Sequence, residues 1–491
     1  MAESNTTPPD ENARILTDVE PGSVRRVHLV GVAGTGMGAF AGMLQSAGYA
    51  VTGSDENVYP PMSDMLREWG IEVYTPYGPE NLDKSQPELV IIGNVIRRTN
   101  PEAAAVRERQ IPQMSFPAAF GALVASRKHS IVIAGTHGKT TTSALMAHVL
   151  TDSGRDPTFL VGGVTLNYNA NFRLGEGEHV VVEGDEYDTA YFDKGPKFVH
   201  YRARTALLTS IEFDHADIYN DMAHYESSYV RFCRSLPADG WLGVSAAYSR
   251  AVELAHQHAA CSVVTYGGKG GDYHAQDVVF DESGASFRLN GPGEAIDVAL
   301  PMAGLHNVEN AVGVYAAARS LGLAPDEIVE AFSTFEGVKR RQEPRGEVDG
   351  VLVIDDFAHH PTAVRETIAG IRRRYRERRL WAVFEPRSNT SRRNIHQAEY
   401  AAAFDDADLV TLRLPEPHDK VPVDQQLDVA AVVSEIEARG IPASAHAEVS
   451  DIVAELTQAA RANDVILVMS NGAFGGLIPD LLESLRKRPQ P

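Results

Sequence analysis

Short apolar runs that end in glycine, acidic or amide residues recur along the chain. They are Val27–Val30, Tyr49–Thr52, Leu89–Gly93, Ser130–Ala134, Phe159–Gly163, His179–Glu183, Thr205–Ser210, Trp241–Val244 and Cys261–Tyr266, then Val351–Asp355, Trp381–Phe384, Leu409–Leu412 and Val465–Met469. Each reads as a buried strand opening into a polar loop. Helical spacing fills the gaps, most clearly at Leu145, Met146, Val149 and Leu150. Ile368–Leu380 reads as a helix whose arginines form a solvated face. Strands alternating with helices predict an α/β protein with parallel, doubly wound sheets. The stretch up to Leu300 alternates instead like an antiparallel appendage. At Gly304-Leu305-His306-Asn307 a helix begins, with Asn307 as its N-cap or as one of an amide pair with Asn310.

Three domains follow from this order: a Rossmann-like domain over 23–127, a central ATPase-like mixed sheet over 128–337, and a C-terminal Rossmann-like domain over 338–491. The last boundary is a composition shift at Gly337-Val338-Lys339-Arg340-Arg341. Residues 1–22 are polar, carry Pro8-Pro9 and lack an apolar signal core, so they read as a disordered tail.

The strongest chemistry lies in Gly135-Thr136-His137-Gly138-Lys139-Thr140-Thr141, between a strand and a helix. Bare backbone N–H groups, a helix N-terminus and a lysine suit a phosphate chain, and the hydroxyl of Thr140 or Thr141 suits its metal. The loop is shorter than the usual pattern, because Ile133 stands where an extra glycine is expected. Four carboxylates crowd Glu183-Gly184-Asp185-Glu186-Tyr187-Asp188 at a strand end. Like charges so close call for a cation, and Mg²⁺ suits oxygen ligands beside phosphates. His215, after the strand at Thr205–Ser210, is a second metal ligand or a positioning group. In the first domain, Gly31-Val32-Ala33-Gly34-Thr35-Gly36-Met37-Gly38 and Ser54-Asp55 form a glycine turn and an acidic strand end that suit a nucleotide diphosphate. The glycine spacing is not that of a Rossmann dehydrogenase, and a dehydrogenase would leave Lys139 unexplained.

Composition narrows the partners. The 491-residue chain carries a formal charge of −21, which argues against nucleic acid. Two cysteines, Cys233 and Cys261, suit a reducing, cytoplasmic setting, and no apolar run is long enough to span a membrane.

In combination, GTHGKTTT, EGDEYD, EFDHADIY, GLHNVENA, GVKRR and DDFAHHPT resemble the Mur ligase family, the ATP-dependent amide-forming enzymes of bacterial cell-wall peptides. GVAGTGMG and TGSD are similar to the branch that takes UDP-N-acetylmuramic acid. For the amine substrate the resemblance implies L-alanine or the recycled peptide L-alanyl-γ-D-glutamyl-meso-diaminopimelate. The stretch from YDTAYFDKGP to EFDHADIY, with EPRSNT and VMSNGAFGG, tilts the resemblance to the peptide. The resemblance implies ATP and Mg²⁺ as cofactors, with Lys139 and the loop from Gly135 to Thr141 on the phosphates. It implies Thr140, Glu183 and His215 on metal, and His306, Asn307 and Asn310 at the adenine. Arg340 or Arg341 would reach the phosphates, Asp355 or Asp356 the ribose, and His359 the amine or phosphate side. Gly34, Gly36, Met37, Ser54 and Asp55 would meet the UDP-sugar, and Arg387, Ser388 and Asn389 the murein peptide. Two departures stand out. Val230 replaces the modified lysine of several relatives, leaving Arg231 or nothing in its role. Gln342 replaces an apolar residue after the paired arginines.

Overall fold

The computed structural model describes residues 13–59, 62–216, 218–268, 270–415 and 421–488. Three sheets carry it. The first orders β1 (Arg26–Val30), β2 (Ala50–Ser54), β3 (Glu72–Tyr74), β4 (Leu89–Ile92) and β5 (Gln113–Ser115) as β3-β2-β1-β4-β5, with every pairing parallel. The order reverses beside β1, which opens a crevice at the strand ends.

The central sheet contains β6 (His129–Ala134), β7 (Thr158–Thr165), β8 (Ala170–Arg173), β9 (His179–Gly184), β12 (Thr205–Leu208), β13 (Trp241–Ser245) and β14 (Ser262–Tyr266). A small hairpin, β10 (Asp188–Ala190) with β11 (Asp193–Pro196), interrupts the chain order. The sheet runs β14-β13-β12-β6-β9-β7-β8, and only β8 pairs antiparallel. Helix Lys139–Asp152 is buried along most of its length, against this sheet and helix Leu305–Ser320. That explains why its apolar pattern is barely one-sided. The expected antiparallel appendage is the sheet β15 (His274–Asp281), β16 (Gly284–Gly291) and β17 (Glu294–Leu300).

The C-terminal sheet contains β18 (Glu343–Val348), β19 (Val351–Asp356), β20 (Arg379–Phe384), β21 (Leu409–Arg413), β22 (Ala443–His446) and β23 (Asp464–Met469). It runs β18-β19-β23-β20-β21-β22, parallel except for the edge strand β18. Among the described residues, no helix is long and apolar enough to cross a membrane.

Three expectations need correction. Part of the expected tail is built into the fold: Leu16 N–H donates to Gln113 O, Gln113 N–H to Arg14 O, and Leu16 and Val19 pack on the core. Residues 1–12 lie outside the described residues. The arginine-rich helix spans Pro361–Arg374, not Ile368–Leu380. Proline suits its first turn, and Leu380 belongs to β20. Helix Leu305–Ser320 is capped by Gly304, so Asn307 sits inside its first turn and donates to Ala303 O at 2.7 Å.

Candidate functional site

The phosphate loop leaves the C-terminal end of β6 with two glycines at positive φ, Gly135 at 133° and Gly138 at 80°. Both are also sterically required. A Cβ on Gly135 would lie 2.2 Å from Thr209 Oγ1, and one on Gly138 2.8 Å from Asn310 Oδ1. The end of β12 stitches the loop down: His137 N–H donates to Ser210 Oγ at 2.8 Å and Thr136 Oγ1 to Glu212 O at 2.9 Å. Gly138 caps the helix without a side-chain bond, which leaves its first N–H groups suited to an anion.

Lys139 lies in this turn with its side chain 11% exposed. Its Nζ donates to Gly135 O at 2.7 Å and Glu186 Oε2 at 2.9 Å. The other carboxylate oxygen of Glu186 lies 3.1 Å from His215 Nε2 and accepts from Tyr225 OH. Burial alone would discharge these groups, but each holds the next charged. Against burial, Glu186 and its neighbours push Lys139 up. Lys139 and His215 lower Glu186 to about 2, and Glu186 raises His215 to about 9. The sequence shows Glu186 only as one carboxylate of the acidic motif. Its pairing with Lys139, 47 positions earlier, had no local signal.

Glu183 points into the same hollow. Thr140 Oγ1 donates to its Oε1 at 3.0 Å and Gly162 N–H to its Oε2 at 2.8 Å. Burial, then the charge of Asp185, raises its pKa. A recessed carboxylate that resists ionisation beside a hydroxyl is a donor set that a hard cation would relieve. Thr140 and Glu183 therefore fit Mg²⁺, whereas His215 is turned to Glu186, which holds its ring charged. Arg341 arrives from the C-terminal side of the junction and donates Nη2–H to Thr140 Oγ1 at 3.2 Å. Arg340 does not reach this hollow. Its Nη2 donates to Ser470 O and Gly472 O, each at 2.6 Å, and its Nε lies 3.4 Å from Asp355 Oδ2.

A cleft runs from the loop to the C-terminal domain. Its walls include Thr141, His306, Asn307, Asn310, Arg341 and Asp356. Burial, then the Arg373 charge, lowers His306 to about 4, so its ring is neutral at physiological pH. Asn310 Nδ2 lies 3.4 Å from Asn307 Oδ1. Gln342 fills the space between His306 and Asp356, its N–H donating to Asp356 Oδ2 at 2.8 Å. Asp356 faces the cleft, whereas Asp355 points away to Arg340 and Arg345. His359 is withdrawn: its Nδ1 donates to Phe357 O at 3.1 Å, and burial lowers its pKa.

The remaining expected residues divide. Gly34 and Gly36 are exposed at the start of helix Thr35–Ser46, and Met37 is buried beneath them. Ser54 is fully buried, donating to Glu102 Oε1 at 2.9 Å beside His28, so it offers nothing to a ligand. Asp55 accepts from Ala33 N–H at 2.9 Å and from Tyr77 OH at 3.2 Å, which makes it a brace of the glycine turn. Arg387 and Asn389 are exposed, while Ser388 Oγ accepts from Ser391 N–H and shapes the loop. Arg387 shares a second cavity with Arg392, Arg413 and Glu385. Arg231 leans on Gly195 of the β10–β11 hairpin. Asp214, which carries no local signal in the sequence, accepts from Thr390 Oγ1 at 2.8 Å and so ties the His215 loop to the C-terminal domain.

Comparisons with known proteins identify the family. Three family profiles match in succession: "Mur ligase family, catalytic domain" over 26–128, "Mur ligase middle domain" over 133–318, and "Mur ligase, glutamate ligase domain" over 340–472. The UDP-N-acetylmuramate–L-alanyl-γ-D-glutamyl-meso-2,6-diaminoheptandioate ligase of Escherichia coli is 39% identical over 95% of this chain and 99% of its own. The UDP-N-acetylmuramate–L-alanine ligase of Clostridium novyi is 33% identical over 79% of this chain and 82% of its own. Among solved structures, a murein peptide ligase from Psychrobacter arcticus aligns with a TM-score of 0.69 at 33% identity, covering 94% of this chain and 99% of that one. The chain belongs to the Mur ligase family, as an ATP-dependent ligase that forms a carbon–nitrogen bond.

Proposed function

We propose that the chain joins the carboxylate of UDP-N-acetylmuramic acid to the amino group of L-alanyl-γ-D-glutamyl-meso-diaminopimelate, within peptidoglycan recycling. One observation carries the choice of amine. Identity is 39% and 36% to two ligases named for the peptide, against 33% and less to those named for L-alanine. The arginine cavity beside EPRSNT supports it, because the peptide brings several free carboxylates and L-alanine one. The rival reading rests on a TM-score of 0.75 to an L-alanine ligase from Thermotoga maritima, at 26% identity.

A free carboxylate is a poor electrophile. Transfer of the γ-phosphoryl group gives an acyl phosphate, the amine attacks its carbonyl carbon, and phosphate leaves. In this reading Lys139 and the loop N–H groups hold the phosphates, and Arg341 meets the charge that develops in transfer. Asn307 and Asn310 orient the adenine, and Asp356 the ribose. Mg²⁺ held by Thr140 and Glu183 would screen the anions that must meet, and His215 would join it only on giving up its proton and its bond to Glu186. His359 acts by shaping the junction. Gly34, Gly36 and the turn braced by Asp55 receive the sugar diphosphate.

The test is phosphate release with UDP-N-acetylmuramate and Mg-ATP, comparing L-alanine, tripeptide and tetrapeptide. Tripeptide should exceed L-alanine in kcat/KM by about 10²-fold or more, because a site that binds the peptide's carboxylates rejects an amine that lacks them. Equal or better use of L-alanine would transfer the chain to the rival reading. Glu183→Gln should raise the magnesium needed for half-maximal rate by about 10- to 100-fold, read by titrating metal at saturating ATP. An unchanged requirement would remove Glu183 from the metal.

A further inference from the structure

A second set of metal-ligating side chains spans the same junction and has no part in the reaction above. His137 comes from the phosphate loop, Glu212 from the loop after β12, and His360 from the loop after β19. One ligand atom from each lies within 4.8 Å of the other two. His137 Nε2 and Glu212 Oε2 are 2.7 Å apart, and the His137 and His360 rings are 4.6 Å apart. His360 is 7% exposed, and its Nε2 is buried without a partner. A buried polar atom with no partner is costly unless something binds it. Its Nδ1 caps helix Pro361–Arg374 only weakly, accepting from Thr362 N–H at 3.3 Å. Ligation through Nε2 would place the proton on Nδ1 and give up that one long contact.

We propose that His137, Glu212 and His360 form a site for a borderline divalent transition metal, typified by Zn²⁺, which pins the C-terminal domain to the phosphate loop and slows turnover. The donor set decides the class. Two imidazoles and a carboxylate, with a fourth position left for water, suit Zn²⁺ and not Mg²⁺, which takes oxygen ligands. The site is thereby distinct from the oxygen-rich hollow of Thr140 and Glu183. Its position decides the consequence. His137 of the phosphate loop and Thr362 of helix Pro361–Arg374 both line the nucleotide cleft, and Thr362 Oγ1 already reaches Glu212 Oε1 at 3.4 Å. Nucleotide exchange from a cleft walled by two domains needs them to part, and a metal shared between them opposes that.

The experiment uses the full chain in saturating Mg²⁺, with Co²⁺ as a spectroscopic probe and Zn²⁺ as inhibitor. His360→Asn is the informative variant, because asparagine keeps the helix cap and removes the ligand. Glu212→Gln is the second, and cooperative thermal unfolding verifies that each is folded. Wild type should take up one more equivalent of Co²⁺ than either variant, with the intense visible bands of a tetrahedral site. Zn²⁺ should inhibit wild-type phosphate release, and His360→Asn should need about 10- to 100-fold more Zn²⁺ for the same fractional loss from its own metal-free rate. Equal Co²⁺ uptake and spectra in the wild type and folded variants would overturn the site. Uptake without inhibition would overturn the pinning. Neither metal readout depends on which amine is the substrate.

Discussion

Replacing Lys139 with alanine is expected to abolish ATP-dependent phosphate release, a loss of about 10³-fold or more. The same change should also destabilise the protein, for a separable reason. Glu186 has no exposed side-chain surface, and Lys139 is its first counter-charge. Breaking a buried pair by removing one partner costs about 3–5 kcal/mol, because the other charge stays buried. His215 remains beside Glu186 and should hold the loss toward the lower end. The double variant Lys139→Ala/Glu186→Gln removes both charges. It should recover most of the stability and none of the activity. Thermal unfolding and single-turnover phosphate release on the two variants separate the effects. If the double variant regained turnover, the lysine would be serving Glu186 and not the nucleotide.

Strand-end chemistry was legible in the sequence because each apolar run stops where its loop begins. Lys139, Thr140 and Glu183 come together because β6 and β9 are adjacent and parallel, with Ile133 registered against Glu183. What could not be read was the choice within adjacent pairs. Asp355 and Asp356 are neighbours on β19, and the pleat sends successive side chains to opposite faces. One faces two arginines and the other the cleft, and only the packed sheet decides which. Ser54 misled for a related reason. It stands beside Asp55 in the motif, yet it points inward to Glu102, 48 positions later. Long-range partners also hid Glu186, Glu212 and Asp214, whose roles depend on residues from other loops and, for Glu212 and Asp214, another domain.

The paired arginines at the domain junction should separate in the same way when each is replaced by alanine. Arg341→Ala removes the guanidinium that reaches Thr140 across the junction, so kcat should fall by about 10³-fold with little change in thermal stability. Burial already lowers the Arg341 pKa, so the fold gains little from keeping that charge recessed. Arg341→Lys keeps the charge without the planar fork and should recover only part of the rate. Arg340→Ala should do the reverse. It deletes two carbonyl contacts that tie the junction segment to the loop after β23, together with the ion pair to Asp355. Hydrogen bonds to a charged group are worth about 1.5–3 kcal/mol, so unfolding should shift to lower temperature while kcat stays within a few-fold. Steady-state rates and unfolding midpoints on the three variants decide the matter. A large rate loss in Arg340→Ala with an unaffected Arg341→Ala would exchange their roles and place the wrong guanidinium at the phosphates.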